Sequence, residues 1–561
     1  MKKLFFYAAA LAALFVGTST AMAQVGKPAV IVSVTSYDEL MADIDYLGQA
    51  TGLPMISSAI VEANVTQITN GQGLKGLDKK KPWGGVLMVD GENYVPMVFL
   101  PVSDVKGLVE GFAAMGVEIT TESDGTFTIA SPAGMPISAK TSGEYTFFAQ
   151  DAEKLAKLPA DPVSLLGGLN KTHDIGVRAY VQNVPAEKRA ELLDGLKEGM
   201  RRSLREEDGV SPEALELRKK MVENQIKEFD TAAAELDTIT FGLKIDSAEK
   251  VVNLDTAGTA VASSKMAEQF GSYATTTSEF QGFQQPGAAV NLTSTSLLNA
   301  NQIEQMVSVV RTLEGKAQSE IEKDEHLTTD EDRAAAKEGV GALISAMIKT
   351  IETGKLDFGG TVMLEPESAT FAGGAGVADG AAVEAAFKKI AAVASKGDKD
   401  FPEFKFDAET YKGVRFHTAT VPVPDASAQA VFGENMDIVV GIGPKVVYVS
   451  AGSKAADVLK KVIDKSATDG AKPARMLNLV ASLAPMFEFA NSIEKNPMTE
   501  ALAASLKTSE GKDHISMSSI MIPRGVVYRL QVESGVLKLI GQAALPLMMG
   551  GGRRGPGPGG F

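Results

Sequence analysis

The stretch GGVLMVDGENYVPMVFLPVSDVKGLVEGFAAMG, residues 84–116, decides how the rest of the chain is read. Two short apolar runs rich in valine flank Asp90-Gly91, a pair suited to the left-handed backbone of a tight hairpin turn. The second run then leads into an amphipathic helix that reaches Phe112. Strand, turn, strand and helix follow one another without a break. The same order returns at 237–270, 357–387 and 513–543.

Working outward, each hairpin is approached by a strand and a pair of helices. AVIVSVTS (29–36) is short, apolar and β-branched, as a buried strand is, and two helical stretches broken at Gly52-Leu53-Pro54 follow it. The strand at 175–182 leads to a helix that stacks Leu192, Leu196, Met200 and Leu204 on one side, then to a second helix opened by Ser211-Pro212. AAVNLTSTS (288–296) precedes a helix near 299–322 and another entered through a capping box of Thr328 and Glu331. RMLNLVASL (475–483) starts the fourth set. Additional hairpins lie at 125–150 and 411–452.

The expected fold is α+β and internally duplicated, with four strand-helix-helix-strand-strand-helix units forming mainly antiparallel sheets under layered helices. Two halves, 24–280 and 281–549, are expected on either side of a polar linker at 272–286. Alternation in Thr238–Asp246 predicts Ile239, Phe241, Leu243 and Ile245 on a core face and Thr238, Thr240, Lys244 and Asp246 toward water. VPMVFLPV (95–102) is apolar on both sides and calls for cover on both.

Lys2 and Lys3, the apolar run Leu4–Val16 and the small-x-small triplet 21–23 form an export signal cleaved after Ala23. The expected location is the periplasm or the extracellular space. The remaining chain has no run long and apolar enough to span a bilayer. With 561 residues, 44% of them hydrophobic, the chain can bury more than one core. Fifty-five basic against 70 acidic side chains give a net charge of -15, which repels nucleic-acid phosphates. The absence of cysteine excludes disulfides, thiolate metal sites and a cysteine nucleophile. The tail 550–561, GGGRRGPGPGGF, has no apolar period and is expected to be disordered.

Signals for chemistry are sparse. Gly374, Gly376 and Gly380 follow a strand and open a helix, but their spacing departs from GxGxxG and the strand arrives from a hairpin, so no cofactor is expected there. Two acidic clusters, Asp398, Asp400, Glu403 and Asp407, and Glu320, Glu322, Asp324, Glu325 and Asp330 to Asp332, lack the glycine-centred spacing of a calcium loop and read as solvated charge. His173, His326, His417 and His514 are scattered singly, without metal-ligand spacing. His173 and His514 each stand beside an aspartate before a strand, at what read as matching places, which suggests a shared structural position more than a site. Arg201, Arg202 and Arg205 lie among glutamates as an ion-paired helix surface. Trp83 reads as a packed edge of the core. No catalytic, cofactor or metal residue is assigned.

The cleaved signal, the absence of cysteine, the repeated hairpin-plus-helix units and the Gly/Pro/Arg tail resemble large exported bacterial proteins of unknown function. The resemblance implies export and architecture, and no activity. The functional expectation is a non-enzymatic binding or structural protein of the cell envelope, with an unidentified envelope protein as partner. The alternatives are a periplasmic carrier of an apolar ligand and, third, an enzyme with a dispersed site.

Overall fold

The computed structural model describes residues 27–549 apart from 92, 132–133, 160, 203–211, 398–400 and 471. The export signal, the Ser211 cap, Asp398, Asp400 and the tail therefore lie outside the described residues. Helices and a large antiparallel sheet make the fold α+β. The chain divides into two compact units: one runs to Ala267 and takes back Arg524–Val527 and everything from Gln531, and the other holds Glu268–Pro523 with Tyr528–Leu530.

The first unit opens with β1 (Lys27–Val34), α1 (Tyr37–Thr51), α2 (Ser58–Ile68), β2 (Trp83–Asp90), β3 (Asn93–Leu100) and α3 (Val105–Glu110). After β4 (Glu118–Thr121), β5 (Phe127–Ser131), β6 (Gly134–Ser142) and β7 (Tyr145–Ala149), the opening order returns. It comprises β8 (Ile175–Tyr180), α4 (Ala186–Arg202), α5 (Pro212–Glu235), β9 (Leu236–Asp246), β10 (Val251–Ala260) and α6 (Lys265–Tyr273). Ser36 and Glu39 form a reciprocal capping box at the start of α1, which satisfies amides the helix leaves unpaired. Strands β3, β2, β1, β8, β9 and β10 pair antiparallel in that order. Phe99, Phe147, Leu155, Leu166 and Leu169 form the core on one side of them.

The second unit begins with β11 (Val290–Leu297), α7 (Ala300–Lys323), α8 (Asp330–Glu352), β12 (Lys355–Glu365), β13 (Ser368–Gly376) and α9 (Gly380–Gly397). Next come β14 (Lys405–Tyr411), β15 (Val414–Pro422), α10 (Ala426–Phe432), β16 (Asn435–Ile442), β17 (Val446–Gly452) and α11 (Ala455–Asp469). The chain ends with β18 (Leu477–Ser482), α12 (Leu483–Ile493), α13 (Pro497–Lys507), β19 (His514–Ile522), β20 (Gly525–Glu533) and α14 (Ser534–Met549). Within the second unit β19, β18, β11, β12, β13, β17, β16 and β15 pair antiparallel in that order.

Three local expectations are corrected. Residues 272–286 are not a linker: Tyr273, Phe280 and Phe283 are buried, and the two phenylalanines join Tyr448, Phe416 and Leu459 in the core of the second unit. Their polar neighbours Ser278 and Gln285 serve backbone and side-chain hydrogen bonds, which is why the segment looked solvent-facing in composition. The cap of α8 is Thr329, whose hydroxyl accepts from the Asp332 amide, one residue beyond the predicted box. The faces of β9 are also inverted. Phe241 is 55% exposed while Thr240 and Gly242 are buried, and of the four predicted core residues only Ile245 is buried.

Phe280→Ala is expected to destabilise the second unit by about 3–5 kcal/mol, the usual cost of emptying a buried aromatic site. A shift in the denaturant midpoint corresponding to less than about 1 kcal/mol would restore the linker reading.

Candidate apolar binding face and the ionisable clusters beside it

Two adjacent glycine pairs set the character of the second sheet. Gly359 on β12 lies opposite Gly374 on β13, and a Cβ on either would come within 3 Å of Phe280, with Phe283 or Tyr448 equally close. The aromatic rings lie directly on backbone there, Phe280 to Tyr448 at 5.8 Å and Phe280 to Phe283 at 6.0 Å between centroids. Burial raises the Tyr448 hydroxyl well above its ordinary range. The polar residues on the same side are satisfied. Asp357 accepts from Ser278 Oγ at 2.6 Å, Glu279 N at 3.0 Å and Thr295 Oγ1 at 2.9 Å, and Thr361 donates to Asn291 at 2.8 Å.

Because successive strand residues point to opposite sides, the next residues face away from that core. Met517, Leu479, Leu292, Gly360, Gly373, Val449, Val440 and His417 are successive partners across β19 to β15. The flanking rows carry Phe358, Ala375, Val447 and Ile442 on one side and Val362, Phe371, Ala451 and Ile438 on the other. This side is almost wholly apolar and only partly covered: Phe358 is 40% exposed, Phe371 50%, Val449 42% and Met517 38%. Helix α12 borders β12, α10 borders β13 and β16, and the two touch each other. Neither helix buries a single residue, although α12 carries Leu483, Met486, Phe487 and Phe489. Its far end is tied to the β12–β13 turn by the Glu367 amide, which donates to Ser492 Oγ at 3.0 Å. The first unit repeats the inversion. Leu254 and Ile175 are exposed beside Phe241, while Ser33, Gly84, Gly176 and Gly242 face the buried side.

The apolar side ends at β15 in an ionisable cluster. Glu384, Asp407 and His417 offer ligand atoms within 4.8 Å of one another. His417 is fully buried against Phe387 and Phe406, and Glu384 is buried beneath Arg415 and Lys388. Burial holds the imidazole below its ordinary range, against the pull of Glu384 and Asp407. Its Nδ1 accepts the Asp407 amide at 3.0 Å, so the neutral ring carries its proton on Nε2, which points at Glu384 Oε1 3.6 Å away without a hydrogen bond. A metal on Nε2 would need that proton on Nδ1, where the Asp407 amide already donates. Lys388 and Arg415 also neutralise the two carboxylates. The cluster therefore suits an internal ion network that fastens α9 to β14 and β15.

A second cluster joins α1 to the strand ends of the first unit. Asp174 is buried and accepts from Lys244 Nζ and from the Ile245 amide, both at 2.6 Å. Asp43 faces it with a buried Oδ2 that has no hydrogen-bond partner. Burial first, then the charge of Asp174, push the Asp43 carboxyl up to about 7, with Lys244 opposing.

The pair His173 and His514 is not at matching places. His173 precedes β8, the first strand of its set, whereas His514 begins β19, the first strand of a hairpin. His173 lies over Gly242, where a Cβ would meet its ring at 2.0 Å, and pairs with Thr172 Oγ1 at 2.8 Å and Asp255 Oδ2 at 3.3 Å. Both ring nitrogens are thus engaged, and the Asp255 contact holds the loop onto β10. His514 lies 3.5 Å from Asp513, and His326 pairs with Asp324 at the surface. Glu322, Asp330 and Asp332 of the acidic run pair with Lys337, Arg333 and Lys396. Arg202 bonds Glu198 and Arg201 bonds Glu223, an ion-paired helix surface. A cleft of about 510 Å³ lined by Glu365, Lys454, Asp457, Lys460 and Asp464 is strongly charged, with Lys454 bridged to Glu365 and Lys460 to Glu409. Gly376 borders Asp357 and Gly380 abuts the Gly443 carbonyl, so these glycines permit close packing. No described helix is long and apolar enough to cross a membrane. Compared with known proteins, the chain matches no family model, no curated sequence and no solved structure.

Two outcomes follow from the clusters. Zinc is expected to have the same effect on the melting temperature of wild type and of His417→Gln; a rise abolished by His417→Gln would contradict the tautomer assigned above. A carboxyl raised in the folded state stabilises fully below its unfolded pKa and loses that contribution as pH rises through its folded one. The Asp43 contribution should therefore fall between about pH 4 and pH 7, while His417, held below its ordinary range, contributes in the opposite sense. Asp43→Asn should flatten that fall and be the more stable protein at pH 8, as read by thermal melts across the range; parallel curves would contradict it.

Proposed function

We propose that the protein is an exported, non-enzymatic carrier of an apolar ligand, held on the partly covered apolar side of its sheet. The observation that carries this reading is the inversion in both units: polar residues and glycines on the buried side, and phenylalanine, leucine and valine on the open side. Leaving a large apolar side chain half exposed forfeits on the order of 1 kcal/mol. A row of them is the pattern of a surface that is covered when in use. The loosely seated α10 and α12 suit a covering layer that yields to a ligand.

Export follows from the signal at residues 1–23, with the periplasm or the extracellular space as destination, and the acidic chain repels nucleic acid. Recurrence of the order strand-helix-helix-strand-strand-helix, twice in each half of the chain, supports an origin by duplication, which would account for an apolar face in each unit. A second reading, docking of an envelope protein, is favoured by Leu192 and Leu196. They lie one turn apart on α4, both more than half exposed, as a helix-on-helix anchor would.

Organic extracts of full-length protein purified from its exported fraction should contain lipid. The delipidated protein should take up N-phenylnaphthylamine, with Phe371→Asp weakening uptake roughly tenfold, or about 1.4 kcal/mol. No extracted lipid together with no dye uptake would overturn the carrier reading. Retention of a discrete protein partner that Leu192→Asp releases would favour the second.

A further inference from the structure

Helix α4 carries an apolar face that the described residues leave uncovered. Lys197 and Arg201 reach Asp230 and Glu223 of α5, which turns that side of α4 toward its neighbour. At about 3.6 residues per turn, Leu192, Gly195, Leu196 and Gly199 gather on the opposite side. All four are exposed, Leu192 at 66% and Leu196 at 56%. Glycine is a poor helix former, so two of them inside one helix call for a neighbour that needs the space. Among the described residues nothing lies within 4 Å of a Cβ placed on Gly195 or Gly199. The room they leave is not used by the fold described above.

We infer that this face pairs with the same face of a second copy of the chain, the two α4 helices running antiparallel about a two-fold axis between Gly195 and Leu196. The inference is independent of the carrier reading, and it gives α4 a different occupant from an envelope protein. Spacing selects that occupant. Leu192 and Gly199 lie at equal distances on either side of the axis, so each Leu192 comes level with the partner's Gly199, a projecting side chain against a position that has none. A two-fold interface has to be self-complementary in this way. At the axis the two copies of Leu196 meet, and the two copies of Gly195 let the backbones close. Charge agrees with the same register. Along one edge of the face Glu191 bonds Lys188 at 2.9 Å and Arg202 bonds Glu198 at 3.3 Å. Arg202 falls roughly 3 Å along the helix from the level of the partner's Glu191, so the two pairs join into one network of alternating sign. Parallel pairing would instead set leucine against leucine and Arg202 against its own copy. A contact between helices of 17 residues is about 25 Å long and 10 Å wide. That is well below the roughly 800 Å² per partner of a standard interface, so the dimer is reversible, with a micromolar Kd.

The experiment is analytical sedimentation of the full-length chain across a concentration series, joined to disulfide trapping, for which a chain without cysteine has no background. A monomer–dimer equilibrium is expected. Gly199→Leu enlarges the apolar face but fills the place opposite Leu192, and should weaken the dimer about tenfold or more; tighter association would contradict the register. Glu191→Arg and Arg202→Glu should each weaken it, and an equimolar mixture of the two variants, which sets opposite charges level again, should recover it. A mixture no better than either variant alone would count against the pairing. Under mild oxidation Leu196→Cys, close to the axis, should yield a disulfide-linked dimer. Leu192→Cys, roughly 10 Å from its own copy along the helix and so beyond disulfide reach, should not. Equal trapping at both positions would overturn the antiparallel arrangement. Every substituted position is exposed, so the melting temperature at low concentration should hold throughout. Monomer mass at every concentration, with no trapping of Leu196→Cys, would overturn the inference, and lipid extracted from such a monomer would leave the carrier reading in place.

Discussion

The structure depends on the seating of Phe280, Phe283 and Tyr448 on the backbone of Gly359 and Gly374. A Cβ at either glycine would come within 3 Å of these rings, so the contact exists only because both positions lack a side chain. Strand residues alternate strictly, and a slip of one residue would exchange every side chain between the two sides of the sheet. Anchoring one side under three aromatic rings therefore determines what the other presents: Gly360 and Gly373, with Phe358, Phe371 and Val449 around them.

The energetic balance of this choice is unusual but coherent. Polar groups taken inside would cost 1–3 kcal/mol each if left unpaired, yet Asp357, Thr295, Thr361 and Ser450 all have partners at ordinary distances. The apolar residues left partly outside forfeit hydrophobic stabilisation that the aromatic core restores only in part. That residual deficit, spread over a row of side chains, is available to whatever covers the face. Both units share the arrangement, with Leu166, Leu169 and His173 over small residues in the first where aromatic rings serve in the second.

Element order was readable from the sequence because its signals are local. Turn residues such as Asp90-Gly91, apolar periods and helix caps lie within a few residues of what they specify, and strand-helix-helix-strand-strand-helix follows directly. Which side of a strand is buried is not a local property. Thr238–Asp246 alternates cleanly, which places Phe241 inside, but His173 lies over Gly242 and Arg178 bonds Thr240 on the other side instead. The same holds for 272–286, whose serines and glutamines resemble a linker until Ser278 is found bonded to Asp357. Of the candidate site, the signal present in the sequence is the doubled glycines at 359–360 and 373–374, of which only Gly374 belongs to the nucleotide-loop-like spacing with Gly376 and Gly380. His417 and Glu384 meet because α9 lies over β15, and no spacing in the chain announces that. The aromatic run FPEFKF just before Asp407 was the one nearby hint of a buried imidazole.

The proposed carrier is open along one side of the second sheet when empty and covered there when loaded. Carbene footprinting of delipidated full-length protein tests it directly, read residue by residue at Phe358, Phe371 and Val449 with Phe280 as the internal reference. Label on the first three but not on Phe280, suppressed when palmitate is added, is the expected result. Unlabelled Phe358, Phe371 and Val449 in the delipidated protein, or label indifferent to palmitate, would contradict it.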